Sequence, residues 1–216
     1  MFLLLCLFRN TDLMHLTYSA GVMERRARFV WGTDGLWPGP VDFDDLRLQD
    51  YSLHIEFRNQ KVSSLPFNIL REFIEEIGDV QIDAAATSHK DVMDLLMIGC
   101  QRTTIDLFST DKEISLGHAV TEQVIVRIKL PSEVTLTYIT DTLTPRLLEV
   151  KQFGPLSALL ISQRKGDLSF VMDRLPSSLR NSFSWWLAPD EGKMVSLRSD
   201  EHIAGWVLDG EHMLGD

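Results

Sequence analysis

Cysteine is scarce in this sequence, and the two that occur exclude a disulfide framework. Cys6 and Cys100 are the only cysteines among 216 residues, and both lie in apolar segments. Small secreted domains that depend on disulfides carry several cysteines at regular spacings. We therefore expect two reduced, buried thiols, as is usual in a cytoplasmic protein.

Positive charge is also in short supply. The chain has 21 Lys and Arg against 31 Asp and Glu, which gives a formal net charge of −10. Because nucleic acids and anionic membranes are bound mainly through basic residues, this balance argues against both as main partners. Hydrophobic residues make up 44% of the chain, so we expect one domain over residues 1–216 with a sizeable core.

Long hydrophobic runs are missing too, because no segment approaches the roughly 20 apolar residues of a membrane span. The opening MFLLLCLF is apolar, but no basic residues precede it. Arg9-Asn10 follows it without the small residues of a signal-peptide cleavage site. We interpret residues 2–8 as the first buried strand and expect the protein in the cytoplasm.

The motifs that mark many catalytic and cofactor sites do not occur. The sequence has no P-loop, no G-x-G-x-x-G turn and no G-x-S-x-G nucleophile elbow. Its six histidines show neither H-x-H nor H-E-x-x-H spacing, so we predict no metal site, and we predict no cofactor. The histidines are His15, His54, His89, His118, His202 and His212.

The clearest positive signal is in residues 80–108, VQIDAAATSHKDVMDLLMIGCQRTTIDLF. An apolar strand is followed by a helix that Ser88 can cap, and Asp91 lies in the first turn, where the helix dipole favours negative charge. A second apolar strand, TTIDLF, follows. A strand–helix–strand unit of this length builds a parallel sheet covered by helices, which predicts the α/β class.

Eight strand candidates, most of them separated by helices, extend this pattern. The sequence also repeats itself: HLTY resembles TLTY, and QIDAAATS…TTIDLF is echoed by WWLAPDEG…WVLDGE roughly 100 residues later. We therefore predict a single (β/α)8 TIM barrel made of two half-barrels. An open doubly wound sheet is the alternative, but it would not explain the repeats. The predicted strands are residues 2–8, 52–57, 80–83, 103–108, 124–130, 158–162, 183–187 and 203–208.

The segments between these strands carry weaker signals. Residues 134–138 are expected to be extended, residues 24–28 to form a solvated basic loop, and residues 43–48 and 194–198 to form short helices. Of the pair Trp185-Trp186, one ring should face the helices and the other the barrel interior, because successive strand residues point to opposite faces.

Two segments resemble a known family of barrels. Residues 14–30, MHLTYSAGVMERRARFV, match the pattern VVHAVAGxRxxYRP loosely, with Ala20-Gly21, Arg25 and Phe29 in register. Residues 83–99 fit the third-strand pattern DGGIRSxEDvexLlexG. Both patterns are typical of the HisA/HisF group, which includes the phosphoribosylformimino-aminoimidazole-carboxamide ribotide isomerase of histidine biosynthesis. More specifically, the chain resembles the short HisA-related proteins of archaea and some methylotrophic bacteria.

The resemblance implies two aspartates that this chain lacks. Isomerases of the family use one at the end of strand one and one at the end of strand five as general base and general acid. The first position is Leu7 or Cys6 here, and the second is Arg127 or Lys129. Because neither position holds a carboxylate, we expect no isomerase activity.

The phosphate-binding turns of the family are altered as well. Ala84 and Ala85 replace two glycines after strand three, and strand four ends in Asp106, whose charge would repel a phosphate. After strand seven, Pro189 removes a backbone donor, and Gly210 after strand eight lies between two acids. We therefore expect no doubly phosphorylated ligand.

Sites of (β/α)8 barrels lie at the C-terminal ends of the strands. Lys129 is the sharpest catalytic candidate, because an amine among apolar neighbours can have a lowered pKa and form a Schiff base. Carboxylates at other strand ends could move protons for it, although such a mixed set can equally be a solvated rim. The other catalytic candidates are Glu56, Asp83 and Asp106; the ligand-binding candidates are Arg9, Gln163, Arg164 and Gly210; and Asp190 and Asp209 complete the charged rim.

Two functions remain open at this point. We favour a divergent HisA-like barrel that is non-catalytic or acts on an unidentified small molecule, with an accessory role in tetrahydromethanopterin or methanofuran (C1) metabolism as the resemblance implies. The alternative is an enzyme, a Schiff-base lyase or isomerase that uses Lys129. Neighbouring carboxylates argue against the alternative, because they favour the charged ammonium.

Overall fold

Eight parallel strands close into a barrel in the computed structural model of this protein. The structure describes residues 24–32, 35–37, 52–58, 60–154, 156–190, 197 and 202–210. The barrel strands follow one another around the sheet in chain order, and the first pairs with the last, which closes the sheet. The predicted (β/α)8 barrel is confirmed, and the open doubly wound sheet is wrong.

A ninth strand pairs only at the edge of the first, as an antiparallel hairpin. The strands are β1 (Glu24–Gly32), β2 (Gly35–Trp37), β3 (Ser52–Phe57), β4 (Val80–Ala86), β5 (Arg102–Asp106), β6 (Val124–Lys129), β7 (Leu156–Ile161), β8 (Phe183–Ala188) and β9 (Ile203–Asp209). The helices are α1 (Phe67–Ile77), α2 (His89–Met97), α3 (Asp111–Val120), α4 (Thr144–Val150), α5 (Asp167–Arg174) and α6 (Ser177–Arg180), with 3-10 turns at Val62–Ser64 and Lys151–Phe153.

The first barrel strand is where the sequence prediction fails. The strand predicted at 2–8 lies outside the described residues, as do the helix at 43–48 and most of the helix at 194–198. Residues 24–28, predicted to be a solvated loop, instead belong to β1. Their alternation is that of a strand, but the polar residue Arg26 faces the barrel interior, where it is fully buried.

A second correction concerns residues 134–138, which are not an extended segment. The chain is helical from residue 136 and passes through a π-helical segment, Tyr138–Leu143, into α4. Thr135 caps this helix, because its hydroxyl accepts the N–H of Tyr138 at 3.1 Å. The β-branched residues of this segment favour a strand, but the cap and the packing of Ile139 and Leu143 into the core outweigh that preference.

The main core lies between the barrel and its helices. Ser88 caps α2 as predicted: its hydroxyl accepts the N–H of Asp91 at 3.2 Å, and the Asp91 carboxylate accepts the N–H of Ser88 at 3.1 Å. The two tryptophans of β8 separate as predicted, with Trp185 in this core and Trp186 inside the barrel. None of the helices in the described part of the chain combines the length and the apolar character of a membrane span.

The interior of the barrel is divided into an apolar half and a polar half. Side chains of β6 to β9 form the apolar half, which contains Ile125, Leu159, Ile161, Trp186, Ala188 and Val207. Strands β1 and β3 to β6 contribute the polar half, in which Arg26, His54, Gln81, Asp83, Thr104 and Arg127 are buried.

The N-terminal end of the barrel is closed by two arginines stacked on one indole. The guanidinium carbons of Arg26 and Arg102 lie 5.1 and 5.5 Å from the ring centroid of Trp186. Glu24 accepts hydrogen bonds from both arginines, at 2.6 and 3.3 Å. Asp79 pairs with Arg26 at 3.2 Å. Side chains of the described residues therefore fill this end of the barrel.

Candidate functional site

The centre of the C-terminal mouth is an ion pair between two strands that are separated by one strand. Nε of Arg127 on β6 donates to Oδ2 of Asp83 on β4 at 2.8 Å. Thr104, on the intervening strand β5, donates its hydroxyl to Oδ1 of Asp83 at 2.7 Å. Alternation along the strands directs all three side chains into the barrel. The predicted catalytic candidate Asp83 is therefore held between two fixed donors.

Asp83 is ionised despite its burial. Its side chain is 0% exposed, and burial alone would raise the pKa of the carboxyl. The positive charge of Arg127 and the hydrogen bond from Thr104 more than offset this, so the pKa of Asp83 lies below its ordinary value. A carboxylate that is ionised and fully paired is a poor proton donor, so the local geometry favours a structural role.

Two other predicted candidates surround the same guanidinium. Glu56 lies beside Asp83 in the register of β3 and β4, and Asp106 lies beside Arg127 in the register of β5 and β6. Glu56 has its own partner, since Nε of Arg58 donates to its carboxylate at 3.2 Å. Asp106 is held less closely, with its Oδ2 3.8 Å from Nη1 of Arg127. The structure thus brings Glu56, Asp83 and Asp106 together around Arg127.

Tyr138 adds a hydroxyl to this side of the mouth. It is half-buried at the start of the π-helical segment that follows β6. Burial raises the pKa of its phenol, and the charge of Asp106 raises it further, so Tyr138 is a neutral donor at physiological pH. Irregular π-helical turns are frequent at functional sites.

Lys129 lies at the last position of β6, two residues after Arg127, so both side chains point to the interior side of the sheet. Its strand neighbour is Ile161 of the apolar half, and beyond that lies Ala188. The Lys129 side chain is exposed, and no carboxylate in the described part of the chain pairs with it. The apolar neighbours that the Schiff-base hypothesis requires are present, but they do not bury the amine.

The ligand-binding candidates are placed less favourably. Arg9 lies outside the described residues. Nε2 of Gln163 donates to the carbonyl of Leu130, which ties the loop after β7 to the end of β6. Arg164 lines a separate, shallow depression with Gly166, Pro189 and Asp190. These interactions give structural roles to the loop and leave its role in ligand binding as a prediction.

Gly210 has a packing reason for being glycine. A Cβ at this position would lie 2.4 Å from Cζ of Phe29, so no other residue fits without moving the ring. The neighbouring candidate Asp209 is paired with β1, since its carboxylate accepts a hydrogen bond of 2.9 Å from Nε of Arg28. Packing against Phe29 therefore accounts for Gly210, and an ion pair with Arg28 accounts for Asp209.

Near its end, β4 has an irregularity at Ala85. Ala85 has a φ of +46°, in the left-handed region that glycine adopts most easily. The strand register shifts at this point, between Ile82 and Ala86. The N–H of Ala85 lies 3.3 Å from Oδ1 of Asp83 and donates to it, so this donor is taken by an internal acceptor.

Sequence reasoning missed the buried histidine beneath the mouth. His54 lies between Arg28 and Gln81 in the strand register and is 1% exposed. Burial lowers the pKa of its imidazole to about 4, although the Asp83 and Glu56 carboxylates oppose this shift. The alternation of Ser52, His54 and Glu56 along β3 was the available signal, because it places three polar residues on one face.

Metal-ligating and thiol groups add no further candidate site within the described residues. No group of three or more metal-ligating side chains lies close enough there to hold an ion. Cys100 is a free, buried thiol, and burial raises its pKa to about 12. Comparison with protein-family models and with curated protein sequences finds no match to this chain.

Proposed function

We propose that this protein binds a small polar molecule at the C-terminal mouth of the barrel and does not catalyse the isomerase reaction of the family it resembles. One observation carries the proposal. Among the charged residues at the C-terminal ends of the described barrel strands, Asp106 and Lys129 reach solvent without a counter-ion at hydrogen-bond distance, although Oδ1 of Asp106 accepts the N–H of Phe108 at 2.9 Å, while Glu56 and Asp83 are paired. Such groups at the end of a barrel where ligands bind are suited to hold a polar ligand.

The same geometry supports the absence of isomerase chemistry. The end of β6, where the family has its second aspartate, carries Arg127 and Lys129. Asp83 cannot take over that role easily, because its carboxylate is bonded to Arg127 and Thr104. A proton shuttle needs an acid or base whose proton is free to move to the substrate.

A distant relationship to HisA-like barrels is part of this proposal. The backbone at Ala85, with its positive φ at a position where the family pattern has glycine, supports it. The origin of the barrel from two half-barrels rests on the sequence repeats, and a cytoplasmic location on the low cysteine content. An accessory role in methanopterin- or methanofuran-dependent C1 metabolism follows from the resemblance alone.

An enzyme that uses Lys129 is the second candidate function. The observation in its favour is the amine itself, which stands at a strand end, unpaired among the described residues and next to the apolar side chain of Ile161. Its exposure is the observation against it, because a Schiff-base lysine depends on desolvation or a neighbouring cation for activation. We therefore rank ligand binding without covalent chemistry first.

The test is a ligand screen of the full-length chain. Thermal unfolding is measured against amines, carboxylic acids, amino acids, sugar phosphates, nucleobases and reduced pterins, since any ligand that binds only the folded state raises Tm. Each stabilising compound is then titrated by calorimetry into the native protein and into the variants Asp106→Asn and Lys129→Met. We expect at least one ligand whose affinity falls in both variants.

Two controls make this screen decisive. Lys90→Met changes an exposed lysine in the first turn of α2, in the helical layer outside the barrel, and should leave affinity unchanged. Complementation of a strain that lacks the histidine-pathway isomerase should fail. A screen without ligands, ligands insensitive to both mouth variants, or growth of the complemented strain would each contradict the proposal.

A further inference from the structure

Among the charged residues at the C-terminal ends of the described barrel strands, two on adjacent strands lack a counter-charge of their own. Asp83 is paired with Arg127 at 2.8 Å, Glu56 with Arg58 at 3.2 Å, and Asp209 with Arg28 at 2.9 Å. Oδ1 of Asp106 accepts the neutral N–H of Phe108 at 2.9 Å, and its Oδ2 lies 3.8 Å from the Arg127 guanidinium that is already bonded to Asp83. Lys129 has no carboxylate partner in the described part of the chain. One negative and one positive charge of these strands are therefore not neutralised by a close ion pair.

The two unbalanced groups lie on adjacent strands. Asp106 ends β5, and its register partner on β6 is Arg127, two residues before Lys129. Strand spacing and rise per residue then place the Cα atoms of Asp106 and Lys129 about 8 Å apart. One small molecule can therefore contact both side chains, with one of its charged groups directed at Asp106 and the other at Lys129.

From this juxtaposition we propose that the ligand of the mouth is a small zwitterion, whose ammonium group binds Asp106 and whose carboxylate binds Lys129. The inference rests on the proposed ligand-binding function and narrows it to one chemical class, that of amino acids and related amino carboxylates. A zwitterion neutralises both leftover charges at once, whereas a monoamine or a monocarboxylate leaves one of them unbalanced.

The surroundings of the two groups fit such a ligand. Tyr138 lies near Asp106 and offers a neutral hydroxyl on the side of the ammonium group. Ile161 and Ala188 lie beside Lys129 in the strand register and make its surroundings apolar, although they are 7% and 1% exposed. We expect amino carboxylates with an aliphatic side chain to bind better than those with a third charge, which would find no partner there.

The experiment compares zwitterions with their one-charge analogues. Glycine, L-alanine, L-leucine and γ-aminobutyrate are titrated into the full-length chain by calorimetry at pH 7, beside propionate and propylamine. We expect binding of at least one zwitterion with a Kd in the range of about 1 mM or tighter, and no saturable binding of either analogue.

Variants test the two contacts separately. Asp106→Asn and Lys129→Met should each weaken zwitterion binding at least tenfold, while Lys90→Met on α2 should not. Thermal unfolding of each variant checks that the barrel is intact. The double variant Asp106→Lys/Lys129→Asp exchanges the two charges, and we expect it to recover part of the binding with the ligand reversed, which a variant that merely misfolds would not do.

The outcomes separate this inference from the function on which it rests. Equal binding of propionate or propylamine, unchanged affinity in both single variants, or no zwitterion binding would overturn the zwitterion assignment. If the last result came with a sugar phosphate or pterin that loses affinity in the mouth variants, ligand binding at the mouth would stand and only the ligand class would be wrong.

Discussion

Nε of Arg127 and Oδ2 of Asp83 meet at 2.8 Å inside the barrel, and the two side chains are only 9% and 0% exposed. This pair occupies the place where a barrel enzyme would hold a mobile acid. Two further carboxylates adjoin the pair, because Glu56 lies beside Asp83 and Asp106 lies beside Arg127 in the strand register. The charged groups available to the proposed ligand are those of Asp106 and Lys129, which reach solvent at the rim.

The first prediction concerns this ion pair. Arg127→Met keeps most of the apolar stem but leaves the Asp83 carboxylate buried without its cation. We expect the free energy of unfolding to fall by roughly 3 kcal/mol or more, as is typical when one partner of a buried pair is removed. Urea unfolding followed by tryptophan fluorescence measures the change.

Arg58→Met is the matched control for that variant. It also removes an arginine from a carboxylate of the mouth, but the Arg58 side chain is 57% exposed. Because exposed ion pairs contribute less than about 1 kcal/mol to the free energy of unfolding, the urea concentration at the midpoint of unfolding should change little. Equal losses of unfolding free energy in the two variants would show that the buried Asp83–Arg127 pair stabilises the fold no more than an exposed pair does.

The sequence predicted seven of the barrel strands at nearly their observed positions and missed the first. Strands β4 and β6 to β9 are dominated by apolar residues, which is the expected pattern for a parallel sheet buried on both faces. β3 alternates polar and apolar residues, and β5, in which only Ile105 is apolar, was located as the second strand of the strand–helix–strand unit. β1 carries Arg26 and Arg28 on its interior face, so the pattern was typical of a solvated segment. Only the closed barrel shows that Glu24 and Asp79 are there to pair with Arg26.

The sequence predicted which residues make up the candidate site, but not which of them form ion pairs with one another. Because parallel strands end at one edge of a sheet, the sequence could place Glu56, Asp83, Asp106 and Lys129 near one mouth. Which carboxylate meets which cation depends on the register between strands, and register is set by the packing of the whole barrel. The sequence therefore could not show that Asp83 is fully paired while Lys129 is not.

The second prediction is a pH dependence that originates at His54. Burial holds its folded pKa at about 4, below the ordinary 6.5. Between these values the unfolded chain takes up a proton that the folded chain does not, so stability falls as the pH is lowered from about 7 to 4. A difference of 2.5 pKa units corresponds to about 3 kcal/mol.

Replacing the imidazole tests this origin. In His54→Asn the loss of stability between pH 7 and pH 4 should be smaller than in the native chain by about that amount, whatever the absolute stability of the variant. Urea unfolding at pH 7.0, 6.0, 5.0 and 4.5 gives the slope for each protein. Identical slopes would assign the pH dependence to other groups.

The third prediction concerns the strained backbone at Ala85, near the end of β4. Ala85 has a φ of +46°, a conformation that costs a non-glycine residue about 1 kcal/mol or more. Ala85→Gly removes the clash of the Cβ, so we expect the Tm to rise by a few degrees in spite of the greater freedom of the unfolded chain. Ala84→Gly is the control, because Ala84 has no positive φ and is buried, and it should lower the Tm.

The fourth prediction separates two glycines by the space around them. A Cβ at Gly205 would lie 2.5 Å from the carbonyl oxygen of Glu24 and 2.6 Å from the Trp186 ring, so Gly205→Ala should cost roughly 1–3 kcal/mol. A Cβ at Gly117 on α3 would lie 3.5 Å from Ile105, an ordinary contact, and Gly117→Ala should stabilise the helix by up to about 1 kcal/mol. Thermal unfolding of both variants gives the comparison, and a neutral Gly205→Ala would contradict the packing described for Trp186.

The last prediction decides between a binding protein and a Schiff-base enzyme. Lys129 is exposed to water at the end of β6, whereas Schiff-base lysines are activated by desolvation or a neighbouring cation. Incubation of the native chain with small aldehydes and ketones, reduction with borohydride and peptide mass spectrometry should therefore find no more adduct at Lys129 than at the exposed Lys90 of α2. Selective labelling of Lys129, abolished by unfolding the protein first, would make the enzyme the better description of this barrel.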